Sequence, residues 1–155
     1  MKRKKLPEPV SLEREKLLYN ILCEALEERL FFYFHGSIHF DYDDNGDGAF
    51  VECNLHLLFS TFCLYLSGEY AREARIHMSV KGEMCEISFA LPEGARLDEK
   101  QIFENASLGA MMYERRQDGF SLLLPVSYEA VLPLFANHET ILQKLDALAK
   151  LFEIL

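Results

Sequence analysis

The sequence has few of the features that mark membrane, secreted or nucleic-acid-binding proteins. No apolar stretch approaches the roughly 18 residues that a membrane-spanning helix requires, and the first residues lack the apolar region of a secretory signal. We therefore expect a cytoplasmic protein with no membrane partner. Lys and Arg number 16 against 25 Asp and Glu, a net charge of −9, whereas nucleic-acid binding requires a basic face. Nucleic acid is therefore not an expected partner.

The motifs of common enzyme and metal chemistry are also missing. The serines form no GxSxG elbow, there is no GxxxxGK[ST] phosphate loop, and the five histidines form no HxxxH or HExxH pair. No CxxC pair occurs, so we expect buried reduced thiols at Cys23, Cys53, Cys63 and Cys85. The sequence therefore predicts no catalytic, cofactor-binding or metal-binding residue and no cofactor. It favours a non-enzymatic protein without deciding the question.

The length and composition predict one domain with a substantial core. The chain has 155 residues, half of them hydrophobic, and contains no repeat or low-complexity tract. Its one basic run, residues 2–5, is followed by Pro7 and Pro9, which favour an extended chain. We therefore predict a flexible basic tail over residues 1–10 and a single α+β domain over residues 11–155.

The two ends of this domain have helical apolar spacing. Ser11 is a suitable N-cap for a helix over residues 11–33, and a last helix is predicted over residues 137–155. The last helix repeats apolar residues at alternating steps of four and three, as in a coiled-coil seam: Ile141, Leu145, Leu148, Phe152 and Leu155. The preferred interpretation is packing within the chain, and the alternative is a homodimer through the terminal helices.

The stretch from Asn54 to Leu91 organises the rest of the chain. Residues 55–66 are apolar on every face of a helix, with Asn54 as N-cap and Gly68 as a stop, so this helix should be buried centrally. Two alternating segments follow on either side of Gly82, at 75–81 and 85–91. They predict a hairpin with one buried face.

Shorter elements surround this centre. A strand is predicted at 37–42, an acidic loop at 43–48, a helix capped by Asp98 that carries Ile102 and Phe103, and a strand at 119–125 that ends at its proline. Phe50 and Val51 are expected to lead into the central helix, and the charged residues 114–118 to form a solvated face or a turn. Ser127 is a candidate cap for a short helix limited by Pro133. The predicted fold is an α+β two-layer sandwich, with a mostly antiparallel sheet of four or five strands covered by helices.

One local motif suggests calcium. Residues 41–52 fit the spacing D-x-[DN]-x-[DN]-G-x5-E, in which Asp41, Asp43, Asn45 and Glu52 would supply oxygen ligands. Against this reading, position eight is Gly48 instead of an aliphatic residue, no second loop is present, and the preceding segment alternates like a strand. Calcium binding is therefore kept as an alternative that requires the loop to adopt EF-hand geometry.

The order of these elements resembles the ATP-binding domain of sensor histidine kinases, the GHKL class, over residues 12–126. The resemblance implies a histidine-kinase-ATPase-like fold. It rests on the first strand, the asparagine-capped helix, the hairpin, an isoleucine-phenylalanine-glutamate triplet, a segment similar to GLGLAI and the closing strand: residues 38–42, 54–70, 75–91, 102–104, 107–112 and 120–125.

The family's functional motifs are replaced in this sequence. Its two magnesium-binding asparagines fall on Cys63 and Ser67, and its DxGxG turn is replaced by residues 91–95, with a lid too short to enclose a nucleotide. The resemblance therefore implies a degenerate, non-catalytic domain that acts as a protein-interaction or regulatory module in signalling, through apolar faces of its terminal helices. The alternative is weak nucleotide or small-molecule binding in a residual pocket near Ser67, Glu93 and Gly109.

Overall fold

The computed structural model describes residues 14–34, 38–46, 48–67, 74–92, 94–128 and 138–152, so the predicted tail over residues 1–10 lies outside the described residues. They form seven strands, four α-helices and a 3₁₀ turn at Asp44–Gly46. The strands are β1 Glu15–Leu18, β2 His39–Tyr42, β3 Phe50–Cys53, β4 Arg75–Lys81, β5 Met84–Ala90, β6 Met112–Arg116 and β7 Gly119–Ser127. The helices are α1 Tyr19–Tyr33, α2 Leu55–Leu66, α3 Glu99–Leu108 and α4 His138–Leu151.

The strands form one sheet in the order β1-β3-β7-β5-β4-β2, and β6 also pairs with β7. Five of its pairings are antiparallel, and the pairing of β2 with β4 is parallel. The α+β architecture with a mostly antiparallel sheet is therefore confirmed. The predicted number of strands was too low, because three short strands were missed.

The first missed strand is β1, at the start of the helix predicted over residues 11–33. Glu15–Leu18 pairs antiparallel with β3, and the helix begins only at Tyr19, whose amide donates to the carbonyl of Ala49. Burial of Leu17 in the sheet outweighs the helical spacing of the segment. Glu15 contacts Lys144 of α4 instead of the first turn of a helix. Ser11, the predicted cap, lies outside the described residues.

The second missed strand is β3, where Phe50 and Val51 were expected to lead into the central helix. β3 pairs with β1 on one side and with the end of β7 on the other. Pro125 therefore does not end β7: it lies where the strand changes neighbours, opposite Met84 of β5 and just before Val126, which is opposite Val51. A proline is tolerated at such a change of pairing because no ladder hydrogen bond from its nitrogen is required.

The central helix α2 is confirmed. The Asn54 side chain accepts a hydrogen bond from the amide of Leu57, and ten of the twelve helical residues are buried. Phe62 and Tyr65 pack on the aromatic residues of β5 and β7. The helix ends at Leu66 with Ser67 as its C-cap, and the predicted stop at Gly68 lies outside the described residues.

The hairpin of β4 and β5 is also confirmed, and it determines which face of the sheet is covered. Gly82 has a φ of +62° in the turn, a conformation that glycine adopts without strain. Ile76, Met78 and Val80 join the core with Cys85, Ile87 and Phe89. α1 and α2 contact this face, since the Tyr19 hydroxyl donates to the carbonyl of Met78 and the rings of α2 pack on Phe89. The alternate positions of these strands point to the opposite face.

The segment between the hairpin and β7 contains one confirmed element and the third missed strand. Asp98 caps α3 by accepting from the amide of Gln101, as predicted. The charged residues 114–118 are exposed, as expected for a solvated face, and residues up to Arg116 belong to β6, which pairs with β7, while Tyr113 stacks on Phe120. The predicted helix after Ser127 cannot be compared, because residues 129–137 lie outside the described residues and Ser127 itself ends β7.

The apolar stripe of α4 packs within the chain, which confirms the preferred interpretation for its described residues. Ile141, Leu142, Leu145 and Ala149 are buried. Asp146 of α4 pairs with Arg29 and accepts a hydrogen bond from Tyr33, both on α1, and Phe152 stacks on Phe59 of α2 with a centroid distance of 5.9 Å. The described part of the stripe that suggested a homodimer therefore contacts the chain's own helices, while Leu155 lies outside the described residues and the homodimer remains a prediction. Within the described ranges, no helix is long and apolar enough to cross a bilayer.

Candidate functional site

The contact between α2 and α3 lies beside Gly109, one of the three residues near which a residual nucleotide pocket was predicted. Asn105 of α3 is 3% exposed, and its side-chain amide donates to Ser60 Oγ at 3.0 Å and to Thr61 Oγ1 at 3.4 Å, both on α2. Gln101 Nε2 donates in turn to Asn105 Oδ1 at 3.2 Å. These polar groups bind one another, so they are not presented to a ligand.

The residues predicted to line this pocket are also in close contact with protein. A Cβ built on Gly109 would lie 3.2 Å from Met111 Cε and 3.4 Å from Leu57 Cδ1, so apolar side chains already fill the space beside it. Ser67 Oγ donates to the carbonyl of Cys63 at 2.6 Å. Glu93, the third predicted residue, lies outside the described residues.

The calcium-like segment adopts a strand, a 3₁₀ turn and a second strand, not an EF-hand loop. Asp41 and Asp43 both contact His77, and Asn45 exchanges two hydrogen bonds with the backbone of Val80. Glu52 lies on β3, 3.4 Å from Arg14. Among the described residues, no group of three or more His, Cys, Asp or Glu side chains could hold a metal ion. The segment therefore lacks the geometry that the calcium hypothesis requires.

The imidazole of His77 lies between two carboxylates on the open face of the sheet. Its Nδ1 is 2.9 Å from Asp41 Oδ1 and its Nε2 is 3.3 Å from Asp43 Oδ2. Only the protonated ring can donate from both nitrogens. Partial burial alone would lower the pKa of His77, but the hydrogen bonds and charges of both carboxylates outweigh it and raise the pKa above its usual value. The acidic motif therefore stabilises a charged histidine.

This arrangement predicts a pH-dependent contribution to stability. Because the pKa of His77 is higher in the folded state, its contribution is fully present below about pH 6.5 and is lost as the pH rises through the raised folded value. The site is partly exposed, so we expect less than about 1 kcal/mol. In thermal melts between pH 6 and 9, the difference between wild type and His77→Gln should shrink with rising pH. His39→Gln is the control, and an equal pH dependence in both variants would contradict the assignment.

The open face of the sheet carries the groove that the structure describes. The groove has a volume of about 760 Å³, and half of its lining residues are polar side chains of β2, β4, β5, β6 and the turn before β7, while Phe31 of α1 also borders it. Register places His39 opposite Arg75 at one end of the groove, and Gly119 opposite both Ala90 and Arg116 at the other. Sequence analysis missed this site, although the polar positions of the alternating strands were its signal.

A network of charges lies at one wall of the groove. Glu86 is 8% exposed and contacts Arg116 and Lys81, while Arg116 Nε donates to Ser121 Oγ at 2.7 Å. Burial alone would raise the pKa of Glu86, but the hydrogen bonds and charges of Lys81 and Arg116 hold it below its usual value. The carboxylate therefore stays ionised and fixes the Arg116 guanidinium in place.

The cysteines are not part of either site. All four are free and buried, as predicted from the sequence. Burial raises the pKa of each thiol, to about 12 for Cys85. A thiol kept protonated in this way is a poor nucleophile and a poor metal ligand.

Comparison with known proteins shows similarity at the level of fold. No protein-family model matches the chain, and no curated protein sequence matches it either. Among solved structures, two nucleotide-free forms of the catalytic domain of histidine kinase ThkA are similar, at 14% identity and TM-scores of 0.45 and 0.46. They cover 75% of this chain and 96% and 98% of theirs. The cytoplasmic segment of histidine kinase QseC is similar at 12% identity and a TM-score of 0.44, with 75% of both chains covered. These structures belong to the class that the sequence resembles.

Proposed function

We propose that this chain is a non-catalytic histidine-kinase-ATPase-like module that acts in signalling by binding another protein, in the cytoplasm. The observation that supports the proposal most is the direct packing of α3 on α2. Asn105 is satisfied by Ser60 and Thr61 across this contact, and Met111 and Leu57 lie against Gly109. A nucleotide held there would have to separate two helices and break a buried hydrogen-bond network.

The surface of α3 and the start of β6 is our candidate for the interaction. Phe103, Leu108 and Met112 are 55%, 53% and 55% exposed there. Large apolar side chains exposed on adjoining elements are a feature of protein-binding surfaces. Within the described residues β6 pairs with β7 alone, and it carries Glu114 and Arg115. Charges on an edge strand disfavour the addition of another strand. We therefore expect the partner to bind through side chains.

The nucleotide half of the proposal is tested by thermal melts with millimolar Mg-ATP or Mg-ADP against Mg²⁺ alone. A ligand that binds only the folded state raises the midpoint, by about 2.7 kcal/mol of added stability at a hundredfold excess over its Kd. We expect no rise in the melting midpoint caused by a nucleotide bound between α2 and α3. A rise of several degrees that persists after mutation of the groove on the open sheet face would contradict the proposal and restore the residual-pocket alternative.

The interaction half is tested by capture on the immobilised chain. Proteins bound by wild type should be lost with the double variant Phe103→Ser/Leu108→Ser and retained with Phe32→Ser, a matched control that is 60% exposed on α1. The removed side chains are exposed, so stability should change little. Equal capture by both variants, or equal loss, would remove this surface from the proposal.

A further inference from the structure

The groove on the open face of the sheet has a floor of small residues. Ser88 and Ala90 of β5 lie beside Gly119 of β7, and Ala90 is directly opposite Gly119 in the register. Because these residues have short side chains or none, the sheet is depressed here between the longer side chains of β4 and β6. Its volume of about 760 Å³ is within the range of small-molecule sites.

Two guanidinium groups flank this floor. Arg75 lies on one side, next to the pair of Ile76 and Phe89 and joined to the backbone of Ala90 through the Tyr65 hydroxyl. Arg116 is opposite Gly119 on the other side. Three strand spacings separate their backbones, roughly 14 Å at about 4.8 Å per strand. Two arginine side chains can extend toward each other over such a span, with room for a small molecule between them.

The hydrogen-bonding capacity of the two arginines is not used up. Arg116 is fixed by Ser121 through Nε and by Glu86 and Glu114 through Nη2, which leaves the two Nη1 donors without a partner among the described residues. Arg75 has backbone hydrogen bonds with Tyr65, and within the described ranges its guanidinium forms no ion pair. A guanidinium group with free donors matches carboxylate and phosphate oxygens.

The acidic residues of the groove limit where an anion can bind. The Asp41 carboxylate forms an ion pair with His77, and the Glu86 carboxylate forms ion pairs with Lys81 and Arg116. Asp118 lies in the turn before β7 and forms no ion pair within the described part of the chain. Its charge would repel an anion held between the arginines, so its removal should strengthen binding.

We propose that this groove binds a small organic molecule with two oxyanion groups, carboxylate or phosphate, one at Arg75 and the other at Arg116. Ser88, whose hydroxyl lies 3.4 Å from that of Ser121, lines the same groove. The proposal is independent of the protein-binding role, because the groove lies on the face of the sheet opposite α2, while that role concerns α3 and the start of β6.

The test is isothermal titration calorimetry with succinate, citrate and pyrophosphate at constant ionic strength, with acetate as the singly charged control. We expect saturable heat from at least one di- or polyanion and none from acetate. The carboxylate and phosphate arms distinguish the two sources of oxyanion. No heat from any of the four at about 10 mM, where a site with a Kd of about 1 mM would be mostly occupied, would overturn the proposal.

Three variants locate the binding. Arg75→Gln should weaken binding by about tenfold or more, as expected for loss of a charge-assisted contact, and Asp118→Asn should strengthen it. Arg115→Gln is the matched control, because this exposed arginine does not line the groove, and it should bind like wild type. Equal binding by Arg75→Gln and Arg115→Gln would overturn the assignment. Binding of an oligoglutamate peptide but of no small anion would also overturn it, in favour of a protein ligand.

The same variants separate this proposal from the protein-binding one. A polyphosphate such as ATP could occupy the groove, and a melting shift that disappears in Arg75→Gln would support the groove and leave the α2 and α3 contact unaffected. A melting shift that persists in Arg75→Gln would contradict the non-catalytic proposal, and it would show that ATP does not bind at Arg75 in the groove.

Discussion

Gly119→Ala is expected to destabilise the fold by at least about 3 kcal/mol, the largest effect of any single added methyl group that we predict. A Cβ at this position would lie 1.9 Å from the carbonyl oxygen of Phe89 and 3.1 Å from the Cα of Ala90. Both are backbone atoms in the neighbouring strand, so rotation of a side chain cannot relieve the clash. Relief requires β5 and β7 to move apart along the register that joins them. Urea denaturation followed by circular dichroism measures the loss.

Gly94→Ala is the matched control for this substitution. Gly94 has a φ of +79°, and a Cβ built there meets no atom within 4 Å. The cost should therefore be limited to the left-handed conformation itself, about 1 kcal/mol. If the two alanine variants unfold at the same urea concentration, the close approach of β5 and β7 described here is wrong.

Phe89→Ala is expected to cost about 3–5 kcal/mol, since it removes the ring at the centre of the aromatic cluster. Phe89 is 1% exposed and stacks on Phe120 with a centroid distance of 4.5 Å. Phe62 and Tyr65 of α2 contact the same ring at 5.4 and 5.1 Å. The cavity left by alanine would border both the sheet and the central helix, so neither can close it alone. The free energy of unfolding in urea is again the measurement.

Phe103→Ala removes the same side chain from an exposed position. Phe103 is 55% exposed and has one ring contact, with Tyr113 at 6.1 Å. We expect a loss below about 1 kcal/mol. If Phe89→Ala lost no more stability than Phe103→Ala, the buried face of the hairpin would not be the core of the domain.

The elements that the sequence predicted well are those with a long local pattern. α2 shows twelve nearly all-apolar residues after an N-cap, and β4 and β5 each alternate over seven residues, so local periodicity was enough. β1, β3 and β6 have four or five residues each. β1 and β3 depend on partners distant in sequence, such as Val51 opposite Val126, which no local window contains. β6 pairs with the next strand, β7, across residues 117–118, and it was missed because its charged residues show no apolar alternation.

The candidate site was harder to predict for the same reason. The acidic residues at the end of β2 and in the following turn suggested calcium because their spacing is local, but His77 of another strand contacts both Asp41 and Asp43. Arg75 and Arg116 are 41 positions apart in the sequence, and only strand order and register place them on opposite sides of one groove. The alternation of polar residues predicted which side chains share a face of the sheet, but not which of them lie side by side on it.

The position of β7 in the sheet has a consequence for synthesis on the ribosome. Within the described residues, β7 is the strand that joins β1 and β3 to the other group of β5, β4 and β2. Both groups precede β7 in the chain, so each is synthesised with an unpaired strand edge. That edge stays unpaired until residues 119–127 have been synthesised. Translation proceeds at about 5–20 residues per second, so those edges remain accessible to chaperones or to other nascent chains for seconds. Any slowing of elongation between residues 91 and 119 would lengthen this interval and should increase aggregation without any change in the amino-acid sequence.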